Sequence, residues 1–118
     1  MPALAATFGL TADQGATFEY VFTYTNPDDT VMNLQGYKAR MTIRRNTPPN
    51  SVVETLTTDN GRIVLGGDAG TVTLKMTPDV TAALPASRLQ YDLELESSSG
   101  EVTRLLMGYF VVRAEMTK

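Results

Sequence analysis

In the stretch ATFEYVFTYT, residues 16 to 25, an aromatic ring occupies every second position: Phe18, Tyr20, Phe22 and Tyr24. A spacing of two is the period of a strand, whose successive side chains point to opposite faces; a helical stripe does not repeat this way. YKARMTIRR obeys the same rule, with Tyr37, Ala39, Met41 and Ile43 alternating with Lys38, Arg40, Thr42 and Arg44. TVTLKMT sets Val72, Leu74 and Met76 against Thr71, Thr73 and Lys75. YDLELE sets Tyr91, Leu93 and Leu95 against Asp92, Glu94 and Glu96. Each stretch has one face suited to a core and one that must meet something else.

Turn chemistry separates these runs. NPDDT supplies Pro27 to fix φ, with Asp28 and Asp29 able to bond nearby backbone, and NTPPNS is a loop with two prolines. VVETLT reads as a short edge strand and RIVL as another, with the tight-turn pair Asn60-Gly61 between them. GGDAG is a glycine-rich turn. The second arm of the last hairpin runs from about Val102 to Arg113, and Gly108 within it is expected to mark a bulge or bend. Only TPDVTAAL reads as helix, near 78–84. Thr77 suits the N-cap, Pro78 the first helical position and Asp79 the positive end of the helix.

Short strands punctuated every ~8–12 residues by turns predict an all-β sandwich or barrel with one short connecting helix. Residues 1–12 lack strand periodicity and are expected to form an N-terminal arm, with residues 13–118 as a single domain.

Composition narrows the chemistry. The chain has 118 residues, 42% hydrophobic and 19% charged, which suits one domain with a real core. It has neither cysteine nor histidine. That excludes disulfides, thiolate or imidazole metal sites and every His-based catalytic triad. A formal charge of −3 argues against binding nucleic acid through general phosphate attraction. No run approaches a membrane span, and MPALAATFGL lacks the basic start of a secretory signal. Neither nucleic acid nor membrane is an expected partner, and no cofactor is expected.

GGDAG lacks the spacing and the following helix of a phosphate loop. Asp28, Asp29, Asp59 and Asp68 lie in turns, where side-chain-to-backbone bonding accounts for them. Asp92, Glu94 and Glu96 sit about 7 Å apart, a separation that glycosidases use. No tryptophan in the chain suggests a sugar cleft, however, and carboxylates on an open strand face stay solvated. Two arrangements remain for the charged faces. If the strands are neighbours, Lys38, Arg40 and Arg44 meet Asp92, Glu94 and Glu96 across one sheet; if not, each face is a docking surface. The first is the expected one. The aromatic row Phe18, Tyr20, Phe22 and Tyr24 is expected in the core, as are the bodies of Tyr91 and Tyr109.

Taken in order, LTADQGATFEYVFTY, NLQGYKARMTIRR, GRIVL, GTVTLKMTPDVTAAL and YDLELESSSGEVTRLLMGYFVV resemble a small domain of tailed-bacteriophage virion proteins. It is the immunoglobulin-like N-terminal domain of upper baseplate proteins, similar also to short stand-alone tail or neck proteins. The resemblance runs from about Leu10 to Thr117. Its most telling pieces are Gln14-Gly15, Leu34-x-Gly36-Tyr37, Tyr91-Asp92-Leu93 and Arg104-Leu105. It implies an immunoglobulin-like antiparallel β-sandwich of about seven strands and carries no active site across. It also implies a non-enzymatic adaptor of the tail, neck or baseplate, assembled in the bacterial host cytoplasm and present as a homo-oligomer or in several copies. Its partners would be other virion subunits, and it would help attach fibres. The chain reaches Lys118 with neither a coiled-coil stalk nor a receptor-binding domain, so receptor recognition is not expected in it. Two other roles stay open: a capsid decoration protein, and a carbohydrate-binding sandwich using exposed tyrosines.

Overall fold

The computed structural model describes residues 6–45 and 51–115. Its strands are β1 (Ala6–Thr7), β2 (Leu10–Asp13), β3 (Phe18–Thr23), β4 (Lys38–Arg45), β5 (Ser51–Thr57), β6 (Ile63–Leu65), β7 (Thr71–Met76), β8 (Arg88–Glu96) and β9 (Val102–Arg113). One helix, α1 (Pro78–Ala82), joins β7 to β8. The strands form two sheets: β1-β9-β8-β4-β5, with β2 also on β9, and β3-β7-β6. The two pack as an all-β sandwich.

The alternation seen in the sequence is the alternation of burial. Ala39, Met41 and Ile43 from β4, and Tyr91, Leu93 and Leu95 from β8, face Val72, Leu74 and Met76 from β7 in one core. Phe110 sits at its centre, edge-on to Phe18 at 5.4 Å and to Tyr91 at 6.4 Å between ring centroids. Such edge contacts suit the opposed charge of ring face and ring edge. Leu34 and Leu84, from the connections, complete the core.

Three expectations need correction. Residues 6–13 are not an arm: Leu10–Asp13 pairs with Phe110–Arg113, and Ala6–Thr7 with Leu106–Met107, both parallel. The sandwich is therefore not wholly antiparallel, and it has nine strands among the described residues. The LTAD stretch does alternate, burying Leu10 and Ala12, but four residues are too few to announce a strand by period alone. Residues 1–5 of the expected arm lie outside the described residues, as does the 46–50 part of the proline loop.

The helix ends at Ala82, short of 84, and Leu84 turns its side chain into the core before Pro85. Thr77 occupies the N-cap, but its hydroxyl bonds the Asp79 carboxylate rather than a backbone N–H. Finally, the bulge in the last hairpin is not at Gly108. Arg104 pairs with Glu94 and Leu106 with Leu93, so Leu105 is the extra residue. Gly108 serves another purpose: a Cβ there would lie 2.5 Å from the Phe8 carbonyl oxygen. The glycine lets the N-terminal segment cross.

Candidate functional site

The two charged faces lie in one sheet, on neighbouring strands. Lys38 stands opposite Glu96, Arg40 opposite Glu94, Thr42 opposite Asp92 and Arg44 opposite Gln90. A guanidinium N–H of Arg40 donates to Glu94 Oε1 at 2.9 Å, and Arg44 reaches Asp92 at 3.6 Å. The hydrogen bond to Glu94, then its charge, raises the Arg40 pKa above the usual guanidinium value. Lys38 and Glu96 do not close to ion-pair distance.

A third arginine completes the face. Arg104 of β9 lies 3.6 Å from Glu94 and 3.9 Å from Asp92, so each of these acids is shared by two guanidiniums. Period two alone does not assign Arg104 to this face, because the extra Leu105 shifts the parity of β9: Arg104 is exposed, and so are Met107 and Tyr109. The signal available was the Arg104 charge itself, in a strand certain to neighbour β8 through a tight hairpin. Opposed charges here contribute ~0.2–1 kcal/mol per pair and fade with salt. An open depression of about 230 Å³ lies beside this ladder, lined by Lys38, Arg40, Glu94, Glu96 and the Thr57–Asp59 segment.

The aromatic row enters the sandwich from β3. Phe18 is buried, while Tyr20, Phe22 and Tyr24 are half-buried against the core, and the alternating Glu19, Val21 and Thr23 are exposed. Tyr20 also stacks on Phe8 at 5.4 Å. Tyr91 is buried, and this burial pushes its pKa up to about 12, with a smaller contribution from Tyr20. Tyr109 departs from expectation. It lies on the outer face, 46% exposed, with the Arg88 guanidinium 4.5 Å from its ring centroid.

Of the four turn acids, Asp28 is tied to nearby backbone. Asp28 accepts from the Thr30 N–H at 3.0 Å and from its hydroxyl, which holds the carboxyl below the usual range. Asp29 adopts φ of 71°, the left-handed conformation that Asp tolerates in turns. GGDAG forms a single 3-10 turn at Gly67–Ala69 closed by Gly70 in the left-handed region. Asp13 accepts from Arg113 at 2.6 and 3.0 Å and is lowered by that bond. Among the described residues no cluster of acids could hold a metal ion, and no helix is long and apolar enough to cross a membrane.

No protein-family model matches the chain, and no curated protein matches it.

Proposed function

We propose that this protein is a non-enzymatic structural adaptor of a tailed-phage virion, placed in the tail, neck or baseplate and touching neighbouring subunits through strand edges and loops. One observation carries the structural part of this reading: the two conspicuous motifs of the sequence are engaged within the chain. The acids of β8 meet the arginines of β4 and β9, and the aromatic row of β3 packs against the core. The depression beside the ladder is open, and Glu94, which lines it, is already taken up by Arg40 and Arg104 rather than held free as a substrate site requires. What remains for contact is outer surface and unpaired strand edges, which are the means by which sandwiches add neighbours.

The virion, its assembly in the host cytoplasm and the help in attaching fibres are drawn from the resemblance of the five ordered segments. A decoration role on the capsid would use the same surfaces. A carbohydrate-binding role calls for several tyrosines exposed together, and of the five tyrosines only Tyr109 is exposed. The deciding experiment is the mass of the purified protein, alone and mixed with tail, baseplate and capsid proteins of one phage genome. Co-assembly with a tail or baseplate component supports the adaptor; binding only to assembled capsids moves the role to decoration. Saturable binding on a glycan array with no virion partner would overturn both.

A further inference from the structure

Among the described residues the sheets leave four exposed edges, and three of them are guarded. An unguarded edge presents a row of N–H and C=O groups to any passing strand, so natural sheets shorten, bulge or charge their edges. In β5 the ladder to β4 breaks between Ile43 and Arg44, and Glu54 lies opposite buried Ile43, held by Arg62 at 2.7 Å. That is a bulge and an inward charge together. The β6 edge is three residues long, and β1 and β2 are two and four residues with Phe8-Gly9 between them. The fourth edge is β3. It is six residues long, its register with β7 is unbroken from Phe18 to Thr23, and it has neither proline nor an inward charge.

The direction of its free groups can be read from the ladder. The Tyr24 N–H donates to the Gly70 carbonyl, on the side of β7. By alternation the even residues bond toward β7, and the N–H and C=O of Glu19, Val21 and Thr23 point away from it. The same three residues put their side chains on the exposed outer face, where Val21 is 52% exposed.

We propose that a second copy of this chain pairs with β3, antiparallel, about a two-fold axis through Val21. This extends the structural-adaptor reading by naming a partner, and rests on it for the purpose the pairing serves. The strand is self-complementary in that register. Val21 meets Val21 of the second copy through reciprocal backbone bonds. Glu19 lies opposite Thr23, and Tyr20 opposite Phe22 on the inner side. All outward groups of Glu19, Val21 and Thr23 find partners, and no like charges face each other. Moving the axis to Glu19 would oppose two carboxylates, which the ladder penalises. An isologous contact of this kind closes after two copies and joins the two small sheets into one six-stranded sheet.

The test is sedimentation of the full chain across a concentration series, with circular dichroism as the check on folding. Thr23→Lys places an ammonium opposite each Glu19 and is expected to tighten the dimer by on the order of tenfold, two symmetric pairs acting together. Thr23→Glu is expected to weaken it by a similar factor. Val21→Pro removes an outward N–H without touching the β7 ladder, as edge strands allow, and is expected to abolish pairing. If that variant fails to fold, the Thr23 pair still decides, since its side chain is exposed. A chain still monomeric at about 1 mM, or an association indifferent to both Thr23 variants, overturns the inference. A monomer that co-assembles with tail proteins overturns this pairing and leaves the adaptor standing. A β3 dimer that binds no virion subunit does the reverse.

Discussion

The phenolic hydroxyl of Tyr91 donates to the Phe8 carbonyl at 2.6 Å, across 83 positions of sequence. The Tyr91 ring lies in the core beside Phe110, and its hydroxyl emerges where the N-terminal segment passes over Gly108. Phe8 sits between the two short parallel strands that pair with β9, and its own N–H donates to the Met107 carbonyl at 2.9 Å. The N–H and C=O of one residue thus hold the first strands of the chain to the last.

Replacing Tyr91 with Phe keeps the ring and deletes the donor. It is expected to cost about 1 kcal/mol and to raise hydrogen exchange selectively in residues 6–13. The pH dependence gives a second readout. Burial raises the Tyr91 pKa from 10.0 to about 12, so the folded chain keeps a proton that the unfolded chain releases. The neutral phenol's contribution is whole below pH 10 and is lost as pH rises from there toward about 12. Urea midpoints of the parent should therefore fall faster over this interval than those of Tyr91→Phe; parallel curves would contradict the assignment.

Gly108→Ala acts on the other side of the same carbonyl. Its Cβ would meet Phe8 backbone atoms at 2.5 to 3.3 Å, and φ of 153° already disfavours a side chain. A loss of about 2 kcal/mol or more is expected, again centred on residues 6–13. Gly61→Ala is the control: it shares a positive φ, but nothing lies within 4 Å, so only about 1 kcal/mol should be lost. Equal losses at both sites would show that steric crossing at Phe8 is not what Gly108 provides.

The contrast between these strands shows where the sequence was legible. Six to nine residues of strict alternation, as in β3, β4, β7 and β8, declare a strand, its buried face and the character of its outer face. They also made a meeting of arginines and acids the expected arrangement, with separate docking faces as the alternative, because two complementary faces in one small sandwich have few places to be. Two features were hidden for physical reasons. The parallel pairing of β1 and β2 depends on a glycine 100 residues away in β9, which no local window contains. The membership of Arg104 in the charge ladder depends on a bulge at Leu105, and one extra residue reverses the parity from which faces are read. Local period fixes a face only as far as the next bulge.

In the ladder itself, Glu94 should matter more than Arg40. Glu94 serves Arg40 and Arg104, and Asp92 serves Arg44 and Arg104. Removing Glu94 by Gln leaves two guanidiniums without a shared partner, whereas Arg40→Gln leaves Glu94 with Arg104. Both effects should be below about 1 kcal/mol, with Glu94→Gln the larger, and both should shrink in 1 M salt. A double-mutant cycle of Arg40 and Glu94 at low and high salt measures the coupling. A coupling unchanged by salt would mean the pair acts through packing.

Acid should loosen a different part of the molecule. The Asp13 carboxylate is held below 3.8 chiefly by its hydrogen bond from Arg113, so its contribution is present above that value and disappears as pH falls through the lowered one. This pair joins the end of β2 to the end of β9, where Asp13 and Arg113 stand opposite in register. Hydrogen exchange in residues 10–13 should therefore rise at the acid end before it rises in β7 or β8, and Asp13→Asn should show the same loosening at neutral pH. If the acid response of residues 10–13 is identical in Asp13→Asn and the parent, some other carboxylate governs it.

Thr81 tests the one helix. Its hydroxyl is wholly buried and lies 2.8 Å from the Ala16 carbonyl and 3.1 Å from that of Pro78, linking α1 to the turn that enters β3. Gln14 makes a parallel link, donating to the Leu84 carbonyl at 2.7 Å. Five helical residues are far too few to be stable alone, so α1 owes its place to contacts of this kind. Thr81→Val keeps the shape and removes the donor, leaving the Ala16 carbonyl short of a partner; a loss of about 1–2 kcal/mol is expected. Thr81→Ser keeps the donor and loses a methyl group, and should lose about 1 kcal/mol from the missing buried carbon alone. If the hydroxyl anchors the helix, hydrogen exchange of residues 78–84 will separate the two variants, rising in Thr81→Val and staying near the parent in Thr81→Ser. A matching rise in both would assign the anchor to packing of the methyl group.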